Sequence, residues 1–415
     1  MLSAARWRVG LEALLLCGFR PFFLVAAAWG ALALAVWLAA LSGAPLLSWV
    51  PGGLLLWHAH EMVLGFGVAA LLGFLLTAVP EFTGSAAVPR GWTAALSALW
   101  LVARIGGLFG GAPGAWLVAL AETTLLAGAL AVAAPRLWGD PERRHLAFLW
   151  GLAALLGCVL GYHAAVLGGG APLPWLYAAV GVLMALIVVA LSRISMRVVN
   201  AALEERGDGA QEYLARPPRR NLAIFCIALH TAVELAGATL GAPAAPVAGW
   251  IALAAAAALF NLGNDWHLGR VLFARWVLPL YLVYVLMALG YLLLGAASLG
   301  FALPLSAGRH VLMVGGMGLS IYVVLNIAGR IHAGVQPESG PWVPWAVALL
   351  VTATVLRAAA GFAPGWAPVL WVASGGLWIG VFTVHFARAW PLLSRPRADG
   401  QSGCAGVAED APAAR

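Results

Sequence analysis

Apolar runs of about twenty residues recur along the whole chain, and no other feature limits its fold so strongly. Twelve segments can be marked, at approximately 19–41, 54–79, 92–109, 115–134, 146–168, 173–198, 220–240, 246–264, 274–298, 305–328, 343–361 and 366–390. Wound as a helix, each is about as long as the hydrocarbon core of a bilayer is thick. Long continuous runs select helices over strands. The expectation is an all-α polytopic membrane protein with twelve transmembrane helices, a single transmembrane domain over 1–391 and a disordered cytoplasmic tail over 392–415, rich in Ala, Gly and Pro. Composition excludes a soluble globular domain: 63% of residues are hydrophobic and 9% charged, against roughly 25% charged in soluble domains. Arg6 and Arg8 precede the first run, but that run exceeds the roughly 7–15 residues of a signal-peptide core and is read as the first span.

The sparse charges carry orientation. All 23 basic residues are arginine, and 20 of them fall on the side of the N-terminus when twelve spans are counted. The opposite loops, around 42–53, 110–115, 169–172, 241–245, 299–304 and 362–365, hold no charged residue. By the positive-inside rule both termini are cytoplasmic. A net charge of +7 distributed in this way reports topology, so nucleic acid is excluded as a partner and the bilayer is the expected one. The four cysteines, Cys17, Cys158, Cys226 and Cys404, form no CxxC pair and are expected to pack singly. A weak internal repeat aligns His60 with His310, which sets Gly65 against Gly315 and Thr83-Gly84 against Ala333-Gly334. It is compatible with repeating four-helix units.

Ionisable side chains inside a bilayer cost several kcal/mol unless paired or bound, so each is a candidate site residue. The topology puts five of nine histidines in the outer half of the membrane, His58, His60, His163, His230 and His310, and the others, His145, His267, His332 and His385, near the cytoplasmic face. Neutral imidazole is a common ligand of copper, iron and zinc, and a lone intramembrane histidine is otherwise hydrogen-bonded to a neighbour. His58 and His60 lie about 200° apart on a helix, whereas His58 and Glu61 share a face, which makes Glu61 a candidate orienter of His58. On the seventh segment Cys226, His230 and Glu234 form one stripe, and on the tenth His310, Met313 and Met317 do so. Thioethers suit copper, although such a stripe is more often packing. Glu122 and Arg104 are placed to form an ion pair between adjacent helices. Arg309 and Arg357 lie near the outer end, where guanidinium groups hold haem propionates or an anionic substrate, or snorkel to the interface.

Several motifs resemble the NnrS family. They are Gly18-Phe19-Arg20-Pro21-Phe22-Phe23, Trp57-His58-Ala59-His60-Glu61-Met62 with Gly65-Phe66, the Leu99–Arg104 stretch, and Gly315-Gly316-Met317-Gly318 after His310. The resemblance spans essentially the whole chain. It departs at Ile331-His332-Ala333-Gly334-Val335, where the family has Gly-His-Thr-Gly-Arg. It implies a bacterial inner-membrane protein that contains haem and copper and serves in denitrification or tolerance of nitrosative stress, with nitric oxide or a related molecule and an electron donor as partners. Twelve helices with histidines on the second, seventh and tenth are also similar to the main subunit of haem–copper oxidases. By that analogy His60 or His58 and His310 would hold haem iron, with copper or a second haem near His230 and His163. Redox activity on a nitric oxide-related species, a permease for a small molecule or metal chelate, and a haem-binding sensor or assembly factor all remain open readings at this point.

Overall fold

The computed structural model describes residues 10–44, 52–207 and 212–406; Arg6, Arg8, Arg415 and the end of the expected tail lie outside them. Among the described residues every regular element is helical. In chain order the long helices are α1 Phe19–Leu41, α2 Gly53–Thr83, α3 Arg90–Gly106, α4 Gly111–Gly139, α5 Leu146–Gly168, α6 Leu173–Glu204, α7 Pro217–Leu240, α8 Ala245–Leu262, α9 Val277–Ser298, α10 Leu305–His332, α11 Trp342–Phe362 and α12 Ala367–Leu393. Local sequence sets their ends. Pro217 and Pro218 start α7, where a missing N–H costs nothing, and Gly169 and Gly241 adopt left-handed backbone (φ 71° and 68°) to close α5 and α7.

Eleven of these helices are long and apolar enough to cross a membrane. The segment expected at 92–109 is helical as well, but α3 has only 17 residues, amphipathic in pattern and opened by Arg90, and so falls short of the eleven. The protein is therefore a multi-pass helical membrane protein with eleven candidate spans rather than twelve equivalent ones.

The chain divides into two compact units. Unit 1 comprises Met1–Leu176, Val324–Gly340 and Ile379–Arg415, and unit 2 comprises Tyr177–Val323 and Pro341–Trp378. Within unit 1, α1 packs on α2, α2 on α4, and α3, α4 and α5 pack in succession; within unit 2, α7 through α11 pack in succession. α2 and α10 are the most enclosed helices, with 83% and 78% of their most apolar stretches buried, against 22% for α7. Leu120, Phe225 and Trp250 stay exposed, as lipid-facing residues do.

Both enclosed helices widen from α to π geometry directly after a histidine, over Glu61–Gly67 after His60 and over Val311–Gly318 after His310. Such segments are frequent at functional sites. In each, a glycine admits a neighbouring helix. A Cβ on Gly65 would meet Trp29 Nε1 at 2.6 Å and Arg104 Nη1 at 2.9 Å, and one on Gly315 would meet Thr354 Cγ2 at 3.0 Å and Leu286 Cβ at 3.1 Å.

At the end of the chain α12 runs to Leu393, and residues 394–406 continue as a segment built onto unit 1, although disorder was expected from 392. Cys404 is disulfide-bonded to Cys17. The expectation of singly packed cysteines holds for buried Cys158 and Cys226 and is corrected for the other two. A separation of 387 residues gives no local sequence signal of pairing.

Candidate metal centre

Four helices of unit 1 bring ionisable side chains to one buried point, and a fifth adds a tryptophan. His60 closes the first two turns of α2, Arg104 lies in the last turn of α3, Glu122 is mid-way along α4 and His163 lies near the end of α5; Trp29 of α1 completes the set. His60, Glu61, Arg104, Glu122 and His163 are each 6% exposed or less.

Glu122 is the hub. Its Oε2 lies 3.1 Å from His60 Nε2 and 2.9 Å from His163 Nε2, while its Oε1 accepts from Arg104 Nη2. Arg104 Nη1 reaches Glu61 Oε2 at 2.5 Å, an oxygen that also accepts from Trp29 Nε1 at 2.7 Å. The other Glu61 oxygen lies 2.9 Å from His60 Nδ1. Tyr162 stacks on the His60 ring with centroids 5.0 Å apart. Trp100 Nε1 donates to the Gly65 carbonyl at 3.0 Å, which gives a carbonyl of the π segment a side-chain donor.

Charge decides what this cluster can do. Two carboxylates face one guanidinium, so one negative charge is left over in a dry site, which is costly unless a cation neutralises it. His60 makes the same demand. Both its nitrogens contact carboxylate oxygens, but a neutral imidazole has one N–H. One positive charge, a proton or a metal ion, closes the balance. The donor set could hold a metal ion: ligand atoms of His60, Glu122 and His163 converge on one point, with both imidazole nitrogens 2.9–3.1 Å from the same carboxylate oxygen. Glu61 on Nδ1 then orients the ligating ring, as carboxylates commonly do behind metal-bound histidines. Among the described residues this is the group of three or more His, Cys, Asp or Glu side chains that converges in this way.

The sequence expectations sort themselves around this geometry. The Arg104–Glu122 ion pair is present. Glu61, expected to orient His58, bonds to His60 Nδ1 at the point where the helix passes from α to π geometry. His58 stacks on Trp37 with centroids 4.3 Å apart. Glu122 was legible as a mid-span charge but not as the bridge between two histidines, since three helices separated in sequence create that role.

In unit 2 a second polar set surrounds a small cavity of about 20 Å³, lined among others by Tyr177, His230, Glu234, Tyr291, Arg309 and Met313. Arg309 lies 3.4 Å above the Tyr177 ring and donates to Glu234 Oε1 at 2.6 Å. His230 Nδ1 donates to the Ala248 carbonyl at 3.1 Å, which directs Nε2 toward Glu234 Oε2, 3.8 Å away. Cys226 lies on the same helix but outside this cavity lining. His310 Nδ1 donates to the Ser306 carbonyl at 2.7 Å. Met317 is packed at 2% exposure and Arg357 lies over Trp371. His332 pairs with Glu81 at 3.4 Å in unit 1.

No curated protein matches this sequence. A family model described as NnrS protein matches residues 13–397, which takes in every residue of the cluster and of the cavity lining. The chain belongs to the NnrS family.

Proposed function

We propose that this is an integral protein of the bacterial inner membrane that carries copper and haem and binds or converts nitric oxide or a related nitrosyl species, in nitric oxide metabolism or defence against nitrosative stress. The observation that carries this reading is the buried His60–Glu122–His163 convergence with its one uncompensated negative charge. Two imidazoles and a carboxylate suit a redox-active ion such as copper, and monovalent copper would neutralise the site. Bound there, it would supply redox and Lewis-acid chemistry toward a diatomic ligand.

The chain's own residues do the rest. Glu61 fixes the His60 ring through Nδ1, Arg104 holds both carboxylates in register, and Tyr162 and Trp29 cover the site and exclude water. His310, with Nδ1 committed to a carbonyl, is the residue that would hold haem iron. His230, Glu234, Arg309 and Met313 form a second polar pocket for a small ligand. Turnover requires an electron donor as a further partner. In the membrane, α3 makes a twelfth and shortest crossing, both termini are cytoplasmic, and α1–α4, α5–α8 and α9–α12 are repeating four-helix units. Support for the repeat comes from the two π segments, which begin at 61 and 311 and so keep the offset between His60 and His310. The glycine contacts 65 to 104 and 315 to 354 keep it too.

The test is an optical spectrum and metal analysis of purified protein in nanodiscs, reduced and then exposed to nitric oxide or carbon monoxide. A haem band that shifts with the gas, and copper lost in His163→Ala, are the expected results. A folded, colourless and metal-free preparation would overturn the reading in favour of a permease.

A further inference from the structure

The disulfide between Cys17 and Cys404 joins the two ends of the described chain on the face of unit 1 that bears Arg20, Arg397 and His332. Its two sulfurs sit in different surroundings. Cys17 is 2% exposed, whereas Cys404 is only partly buried, in a segment of turns and bends. The approach to the bond is therefore from the Cys404 side.

Two arginines belong to the turn and the segment that carry the two sulfurs. Arg20 N–H donates to the Cys17 carbonyl at 3.2 Å, which puts the two residues in one turn. The Arg20 side chain is fully buried; Nη1 bonds to the carbonyls of Leu393 and Arg395, while Nε and Nη2 have no acceptor among the described residues. Arg397, 5% exposed, bonds through Nη1 to the Gly403 carbonyl oxygen at 3.5 Å, and Cys17 Sγ lies 3.9 Å from that same oxygen. Buried N–H groups without an acceptor are costly, and cationic surroundings stabilise a thiolate and make it a better leaving group.

We propose that Cys17–Cys404 is a thiol–disulfide exchange site whose substrate is a dithiol. A thiolate of the dithiol attacks Cys404 Sγ, the S–S bond breaks, and Cys17 leaves as a thiolate. The second thiol then attacks the mixed disulfide and expels Cys404. In sum two electrons and two protons pass from the dithiol, which becomes a disulfide, to the cysteine pair. Opening removes the covalent hold on residues 394–406, leaving hydrogen bonds such as Ala398 N–H to Ala333 O at 3.1 Å and His332 Nδ1 to Cys404 O at 2.7 Å. The orientation proposed above puts this face in the cytoplasm, where thioredoxin-type dithiols are the resident reductants; the chemistry at the sulfurs does not depend on it, nor on metal in the buried cluster.

The test uses the full chain in nanodiscs, with free thiols alkylated at lysis and peptides mapped without reduction. Mild oxidation should yield a linked peptide pair containing Cys17 and Cys404, and dithiothreitol should open it in the folded protein while Cys158 and Cys226 stay unalkylated. A thioredoxin lacking its resolving cysteine should be trapped on Cys404. Trypsin cleavage after Arg397 should rise about tenfold on opening, as local protection is lost, and should be equally fast in Cys404→Ser. Absence of the linked pair after oxidation, opening only on denaturation, or trapping on Cys17 would overturn the proposal.

Discussion

Glu122→Gln is the sharpest test of the buried cluster, because it removes one charge and almost no volume. Wild-type Glu122 contacts His60, His163 and Arg104 at 3% exposure. Leaving a buried charge unpaired costs ~3–5 kcal/mol, but here the substitution leaves Glu61 and Arg104 as a balanced pair. The metal-free variant should lose only the charge assistance on its hydrogen bonds, ~1.5–3 kcal/mol. Metal binding should suffer more. Substituting a residue behind a metal ligand typically lowers affinity about 10–100-fold, so loss of a direct, charged ligand should exceed ~100-fold, or ~2.8 kcal/mol. Glu61→Gln is the control: it also removes one surplus charge, yet acts on His60 from behind and should cost about 10–100-fold. Copper titration against a competing chelator measures the affinities, and thermal unfolding of the metal-free variants measures the stabilities. Unchanged copper affinity in Glu122→Gln, accompanied by a fall in stability, would refute the metal site and leave an ion-pair network.

Other outcomes follow from single contacts. His310→Ala should lower haem content in a pyridine haemochrome assay while copper is retained; unchanged haem would remove His310 as a ligand. Gly65→Ala should destabilise more than Gly315→Ala in thermal unfolding, because its new Cβ meets Trp29 and Arg104 at 2.6 and 2.9 Å rather than neighbours at 3.0 and 3.1 Å; overpacking of this kind costs about 1–3 kcal/mol. Gly65→Ala should also reduce copper retention, since Arg104 must move away from both carboxylates. Asp399, held down to about 2 from its usual 3.8 chiefly by hydrogen bonds from Arg397, favours the ordered terminal segment above its usual value and loses that contribution as pH falls toward 2. Hydrogen exchange at Gln401, whose N–H bonds to Asp399, should therefore, after correction for intrinsic rates, be flat down to about pH 4 and accelerate below it.

Helices and membrane residence were legible because each depends on a local property, a continuous apolar run bounded by Gly, Pro or Arg. The eleven long spans follow that pattern closely, and α3 departs from it because an amphipathic 17-residue helix carries less apolar length than its flanking loops suggest. The π segments left no such trace. Glu61–Gly67 and Val311–Gly318 are as apolar as the turns around them, and their geometry is set by neighbours that reach the glycines.

What the sequence by itself determined is the solvent of the chain, its helical class, its membership of a family and a short roster of intramembrane ions, since composition and spacing suffice for each. Which of those ions act together was decided by tertiary structure. His60 and His163 share an oxygen of Glu122 because α2, α4 and α5 pack in one unit, and Glu61 turns to His60 where the helix geometry changes. Cys17 meets Cys404 because the terminal segment returns to the start of α1. A charge buried in a membrane must find a partner, but only the packed structure selects the partner.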